Sequence, residues 1–176
     1  MMKKIIKKTF RFFFKSENKI NYKIGNLKKH NARIDALTPK FVEIGDGFVS
    51  APGAIVLSHD ASPFIHINMY RVEFTRIGNN VFLGANSVVL PGVNIGDNVI
   101  VGAGAVVTKD IANDMVVAGN PAKVMCHINE YFEKCKTRGV LFEAPASFNV
   151  MRNDGRPTPT EVTDFQDSIL SKFKKS

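Results

Sequence analysis

Four histidines, His30, His59, His66 and His127, are the side chains in this 176-residue sequence best suited to moving a proton near neutral pH. No Ser-His-Asp order and no reactive-cysteine signature accompanies them. His59 is singled out by its place. It lies in VLSHDASPFIHI, residues 56–67, where a six-residue rhythm that runs on both sides is interrupted. A histidine at the exit of a regular scaffold and the root of a loop can be held firmly while its ring faces a cleft. The chemistry such a group offers is general-base catalysis, the removal of a proton from a hydroxyl as that hydroxyl attacks. Asp60 beside it can orient the imidazole or meet an acceptor. His66, seven positions on, makes a poor zinc pair with His59 because no third ligand stands at a suitable spacing, so it is read as an acceptor contact or a solvated loop residue and no metal is expected.

The elements that must position His59 are legible from the rhythm. From Ile77 the chain divides into IGNNVF, LGANSV, VLPGVN, IGDNVI, VGAGAV and VTKDIA. First positions are Ile77, Leu83, Val89, Ile95, Val101 and Val107; fifth positions are Val81, Ser87, Val93, Val99, Ala105 and Ile111. This fits neither the 3.6-residue period of a helix nor the alternation of a long strand, whereas short strands meeting at regular corners produce it. If six residues make one flat face and three faces close a triangular coil, stacked coils bury the first positions in one interior, with Gly, Asn and Asp at the corners. The expected fold is all-β, a parallel β-helix.

Upstream, IGDGFV, SAPGAI and VLSHDA begin at residues 44, 50 and 56, three residues out of phase with 77, 83 and 89. Something of three, nine or fifteen residues is therefore inserted, and a protruding loop at about 60–75 is the economical reading. Ile24-Gly25 and Ile34-Asp35 mark a degenerate first coil. After Lys123 the rhythm stops. MCHINEYFEKCKTRGV reads as a helix ended by Gly139, and a second helix begins at a capping box, Thr158 with Glu161, with Pro159 in its first turn. The resulting organisation is a basic, Phe-rich segment at 1–22, a β-helix at 23–125 and a helical extension at 126–176.

The stretch IGNNVFLGANSVVLPGVNIGDNVIVGAGAVVTKDI, with VVAGNPAKV after it, resembles the left-handed β-helix acyltransferases, in particular the galactoside, maltose and xenobiotic acetyltransferases. The resemblance covers roughly residues 40–125, and six hexapeptides in phase followed by GNPAKV make it specific. It implies a left-handed coil, a homotrimer, and acetyl-CoA laid in the groove between neighbouring subunits. It implies His59 as the catalytic base, matched through SAPGAIVLSHD. It further implies a donor site at Gly84, Ala85, Ala103, Gly104, Thr108, Lys109, Pro121 and Lys123, where short side chains admit the pantetheine amides and lysines meet phosphates. Acceptor contacts implied by analogy are Asp60, His66, Asn31, Asp35 and Phe82, the last at a position where many relatives carry Trp. The sequence departs from the galactoside type at Asp60, where those members have Pro, which bears on the acceptor more than on the reaction.

Composition bounds the rest. The 44% hydrophobic content supports a real core, and Cys126 and Cys135 form no metal or disulfide pattern. No apolar run is long enough to span a membrane. Residues 1–19 carry seven basic side chains against Glu17, so +6 of the net +8 is local. That segment lacks the features of a cleaved signal and can lie on an anionic membrane face or pack on the protein. No nucleic-acid motif accompanies the charge. The expectation is a cytoplasmic acetyl-CoA-dependent O-acetyltransferase acting on a sugar hydroxyl of a surface polysaccharide or its precursor, peripheral to the inner membrane face. The alternatives are N-acetylation of an amino-sugar nucleotide, a carbonic-anhydrase-like metal lyase on the same scaffold, and a non-catalytic trimeric scaffold.

Overall fold

A computed structural model describes residues 22–25, 30–148 and 157–174. Short strands, mostly of two or three residues, wind into three parallel sheets that form the faces of a left-handed β-helix. The first face stacks β1 (Lys23–Ile24), β3 (Val42–Ile44), β8 (Thr75–Ile77) and β11 (Asn94–Ile95). The second stacks β4 (Val49–Ser50), β9 (Phe82–Leu83), β12 (Ile100–Val101) and β14 (Met115–Ala118). The third stacks β2 (Arg33–Ile34), β5 (Ile55–Val56), β10 (Val88–Val89) and β13 (Val106–Val107). At the far end the chain reverses into β15 (Lys123–His127), antiparallel to β14.

The interior follows the hexapeptide phase. All twelve first and fifth positions from Ile77 to Ile111 are buried, none more than 8% exposed. Phe48, in the coil before the insertion, is interior too, with no exposed surface. Ser87 occupies one interior position, and its hydroxyl has no hydrogen-bond partner.

Corners are held by residues that accept positive φ. Asn80, Asn98 and Asp114 do so in one column, each amide reaching the next: Asn80 Nδ2 donates to Asn98 Oδ1 at 3.1 Å and Asn98 Nδ2 to Asp114 Oδ1 at 2.9 Å. The corner between the second and third faces requires smallness for another reason. A Cβ on Gly84 would come within 2.5 Å of the Ala103 backbone nitrogen.

Register settles the length of the insertion. Ile77 pairs with Ile95, 18 residues on, but Ile44 pairs with Ile77, 33 residues on, so fifteen residues are extra in that turn. The chain leaves the coil after Ser58 and returns at Thr75. Between, β6 (His59–Asp60) and β7 (Arg71–Val72) pair as an antiparallel hairpin around α1 (Phe64–Ile67). Ile34 pairs with Val56 across 22 residues, so the first coil also carries a bulge, the turn around Pro39–Phe41.

Beyond the coils, α2 (Ile128–Thr137) starts at His127, whose ring accepts the Asn129 N–H, and closes at Gly139 with φ 64°, in the left-handed region. The helix α3 (Pro159–Phe173) opens on the Thr158–Glu161 capping box. Its Phe165 and Phe173 pack on Phe148 and Phe142 of the connecting segment. Among the described residues no helix is long and apolar enough to cross a membrane. The basic segment at 1–19 lies outside the described residues.

Candidate active site

His59 is the first residue of the hairpin, immediately after buried Ser58. Its Nδ1 lies 2.6 Å from Asp35 Oδ2. Asp35 comes from the corner after β2, brought beside His59 because Ile34 and Val56 share a register one coil apart. The carboxylate is fully buried and saturated. Oδ2 also accepts the backbone N–H groups of Ser58 and His59 at 2.9 Å each, and Oδ1 those of Leu37 and Thr38 at 2.9 and 3.1 Å. Burial alone would raise its pKa; the Ser58 and Thr38 N–H bonds, the imidazole and the Leu37 N–H outweigh it and hold the carboxyl at about 2.

That arrangement fixes the tautomer. An ionised carboxylate only accepts, so Nδ1 must carry a proton, and a neutral His59 ring then has its lone pair on Nε2. The ring, about a quarter exposed, lines a cleft of about 400 Å³ with Leu57, Asp60, Ala61, Arg71, Leu90 and Pro91. Tyr70 lies 6.1 Å from it between ring centroids, and Phe64 packs on Tyr70. A hydroxyl entering this cleft can meet an oriented base.

The residues read from the sequence distribute as follows. Asp60 lines the cleft; its carboxylate accepts the Ser62 N–H at 2.8 Å, and the bonds from Ser62 lower its pKa. Asp35, expected as an acceptor contact, has no exposed side-chain surface. Its oxygens are engaged by five N–H groups, and its contact with the cleft runs through His59. Asn31 donates to the Ser50 carbonyl at 3.1 Å, His66 is exposed on α1, and Phe82 is exposed on the outside of the second face; none of the three lines the cleft. Gly84, Ala85, Ala103 and Gly104 share the corner between the second and third faces. Thr108 and Lys109 sit on the corner between the third and first faces, two coils along from Ser58, in the column that contains Leu57 and Leu90. Pro121 follows a cis bond after Asn120, and Lys123 opens β15. Within one chain, then, the third face separates the small-residue corner from the His59 corner.

Arg71, Leu57, Leu90 and Pro91 were not found by sequence reasoning. Leu57 and Leu90 are 33 positions apart, so the phase count would have aligned them once the insertion was known to be fifteen. Nothing in the sequence pairs Arg71 with Asp60. A wider groove of about 640 Å³ lies far along the chain, among Glu143, Ser147, Glu161 and Asp164, and contains no base–orienter pair. Among the described residues of one chain, no three His, Cys, Asp or Glu side chains are grouped to hold a metal ion.

Comparison with known proteins agrees with the coiled architecture. Residues 75–109 match the family model described as the hexapeptide repeat of succinyl-transferase. Over 115 residues, 62% of the chain, the sequence is 40% identical to galactoside O-acetyltransferase of Escherichia coli K12, covering 56% of that protein. Protein CapG of Staphylococcus aureus is 47% identical over 100 residues, 54% of this chain and 58% of that one. Among solved structures, galactoside acetyltransferase in complex with coenzyme A superimposes with a TM-score of 0.53 at 31% identity, over 64% of this chain and 58% of the other.

The chain shares the hexapeptide-repeat β-helix of these acetyltransferases.

It spans somewhat over half the length of these curated relatives. Within one chain, an oriented imidazole stands at the root of the inserted loop and a corner of short side chains lies across the adjacent face.

Proposed function

We propose that the chain is an acetyl-CoA-dependent O-acetyltransferase that acetylates a sugar hydroxyl, with His59 as general base. The observation that carries this reading is the Asp35–His59 pair, whose geometry leaves Nε2 as the proton acceptor in the cleft. The acceptor hydroxyl gives its proton to Nε2 as its oxygen attacks the thioester carbonyl carbon. The imidazolium is stabilised by the Asp35 carboxylate, which stays ionised with a pKa of about 2. As the tetrahedral intermediate collapses, the C–S bond breaks and the imidazolium returns the proton to the thiolate. No acyl-enzyme is required.

The donor is assigned to Gly84, Ala85, Ala103 and Gly104, with Thr108, Lys109, Pro121 and Lys123 toward its nucleotide end. A Cβ on Gly104 would meet nothing within 4 Å, so this corner has open space beside backbone amides. The separation of the two corners by the third face is reconciled by a homotrimer, in which a groove is shared between subunits. The outward residues favour that assembly. The first face presents Lys23, Glu43, Arg76 and Asn94, whereas the second presents Val49, Phe82 and Ile100 and the third, after Arg33 in its first coil, Ile55, Val88 and Val106. Two faces that are apolar beyond the first coil, meeting at a corner of small residues, suit closed three-fold packing. A surface polysaccharide or its precursor is the acceptor class we favour, because the Lys- and Phe-rich segment at 1–19 suits an anionic membrane surface.

The test is acetyl-CoA consumption measured against sugars, amino sugars and their nucleotide conjugates. Transfer to a hydroxyl is expected, with His59→Ala reducing kcat about 10²–10⁴-fold while acetyl-CoA still binds. Full transfer by His59→Ala would refute the base assignment, and acetylation confined to amines would replace the O-acetyl reading.

A further inference from the structure

We propose that Arg71 reads the acceptor, forming with Asp60 a donor–acceptor pair that grips the hydroxyl next to the one acetylated and selects neutral over anionic sugars. This rests on the O-acetyltransferase reading of the His59 cleft.

Asp60 and Arg71 are direct partners across the β6–β7 hairpin, and both line the cleft with His59. The Arg71 guanidinium is held from behind. Its Nε donates to Glu73 Oε1, and its Nη2 donates to the Pro91 carbonyl at 3.1 Å. Glu73 itself is seated by the absence of a side chain at Gly92, where a Cβ would lie 2.5 Å from its Oε2. Pro91 and Gly92 belong to the next coil, so the rigid β-helix fixes the position of a loop residue. A guanidinium has five N–H groups, and two are used in these bonds; three remain for a ligand. The Asp60 carboxylate bonds Ser62 and keeps acceptor capacity beyond that.

A hydroxyl both donates and accepts, so one hydroxyl can donate a hydrogen bond to Asp60 while accepting one from Arg71. With the neighbouring hydroxyl on His59 Nε2, the arrangement matches a vicinal diol. An anionic sugar fits less well. Around the guanidinium stand two carboxylates, Asp60 and Glu73, so the group that would attract an anion is already compensated. Tyr70, close to His59, and Phe64 behind it offer an apolar face to the sugar ring.

The experiment measures initial rates for the full chain, Arg71→Ala and Arg71→Lys against neutral methyl pyranosides, their monodeoxy derivatives and the matching uronates. Arg71→Ala is expected to raise the acceptor KM by about 10–100-fold, the loss of a hydrogen bond to a charged group, with the acetyl-CoA KM unchanged. Arg71→Lys should not restore it, because an ammonium lacks the fork. In the wild-type chain, removing the adjacent hydroxyl should cost at least as much as Arg71→Ala, because the bond to Asp60 is lost too, and in Arg71→Ala that removal should cost clearly less than in the wild type, only the Asp60 bond remaining to lose. If the wild-type chain acetylates no sugar, the activity reading itself fails. If it does, an unchanged acceptor KM in Arg71→Ala, full rescue by lysine, additive losses, or preference for uronates overturns the assignment of Arg71 alone. A parallel rise in both KM values would assign Arg71 to loop positioning and also overturn it.

Discussion

Replacing Asp35 by Asn separates orientation from proton transfer, because Asp35 touches the cleft only through His59. The carboxylate accepts at both oxygens, from Leu37 and Thr38 on one and from Ser58, His59 and the imidazole on the other. An amide has one oxygen, so either orientation turns an NH₂ group toward N–H donors. If the NH₂ faces the ring, Nδ1 must become the acceptor and the proton moves to Nε2, where it abolishes the base. Transfer should fall about 10²–10⁴-fold in kcat, with little change in the acetyl-CoA KM. Stability should fall as well. A carboxyl lowered from 3.8 to about 2 represents roughly 2–3 kcal/mol of favourable interaction at neutral pH. Since the folded pKa is the depressed one, this stabilisation is present above pH 4 and lost as pH falls toward 2. The wild-type chain should therefore lose its advantage over Asp35→Asn across that window, measured by urea unfolding at several pH values, with kcat taken well below the melting temperature of the variant. Full kcat in a folded Asp35→Asn chain would refute the tautomer argument, and a stability gap constant from pH 6 to pH 2 would refute the electrostatic one.

Two substitutions test the coil itself. Ser87→Ala removes a buried hydroxyl without a partner and should stabilise by about 1 kcal/mol, a rise of about 2–4 °C in Tm by calorimetry, whereas destabilisation would show that the hydroxyl is satisfied in solution. Gly84→Ala drives a Cβ into the Ala103 backbone of the next coil and should cost about 1–3 kcal/mol by denaturant titration; a neutral result would mean the coils can spread at that corner.

Much of the fold is legible in the sequence because a β-helix interior repeats every six residues, and Ile77 to Ile111 keep that phase without interruption. The same count located the break and put His59 at its root. It left the insertion length open, since three, nine and fifteen residues shift the phase equally; only the pairing of Ile44 with Ile77 decides among them. Asp35 illustrates the other limit. Its proximity to His59 depends on the extra four residues of the first coil, which no periodicity encodes, and its burial turned an expected sugar contact into the group that orients the base. Arg71 was invisible for a similar reason, because a two-residue hairpin has no pattern and its guanidinium is held by a corner from the next coil. Local periodicity thus determined by sequence the coil, its interior and the place of the histidine. Contacts across irregular insertions were decided only in three dimensions, where register between coils brings together residues whose spacing carries no signal.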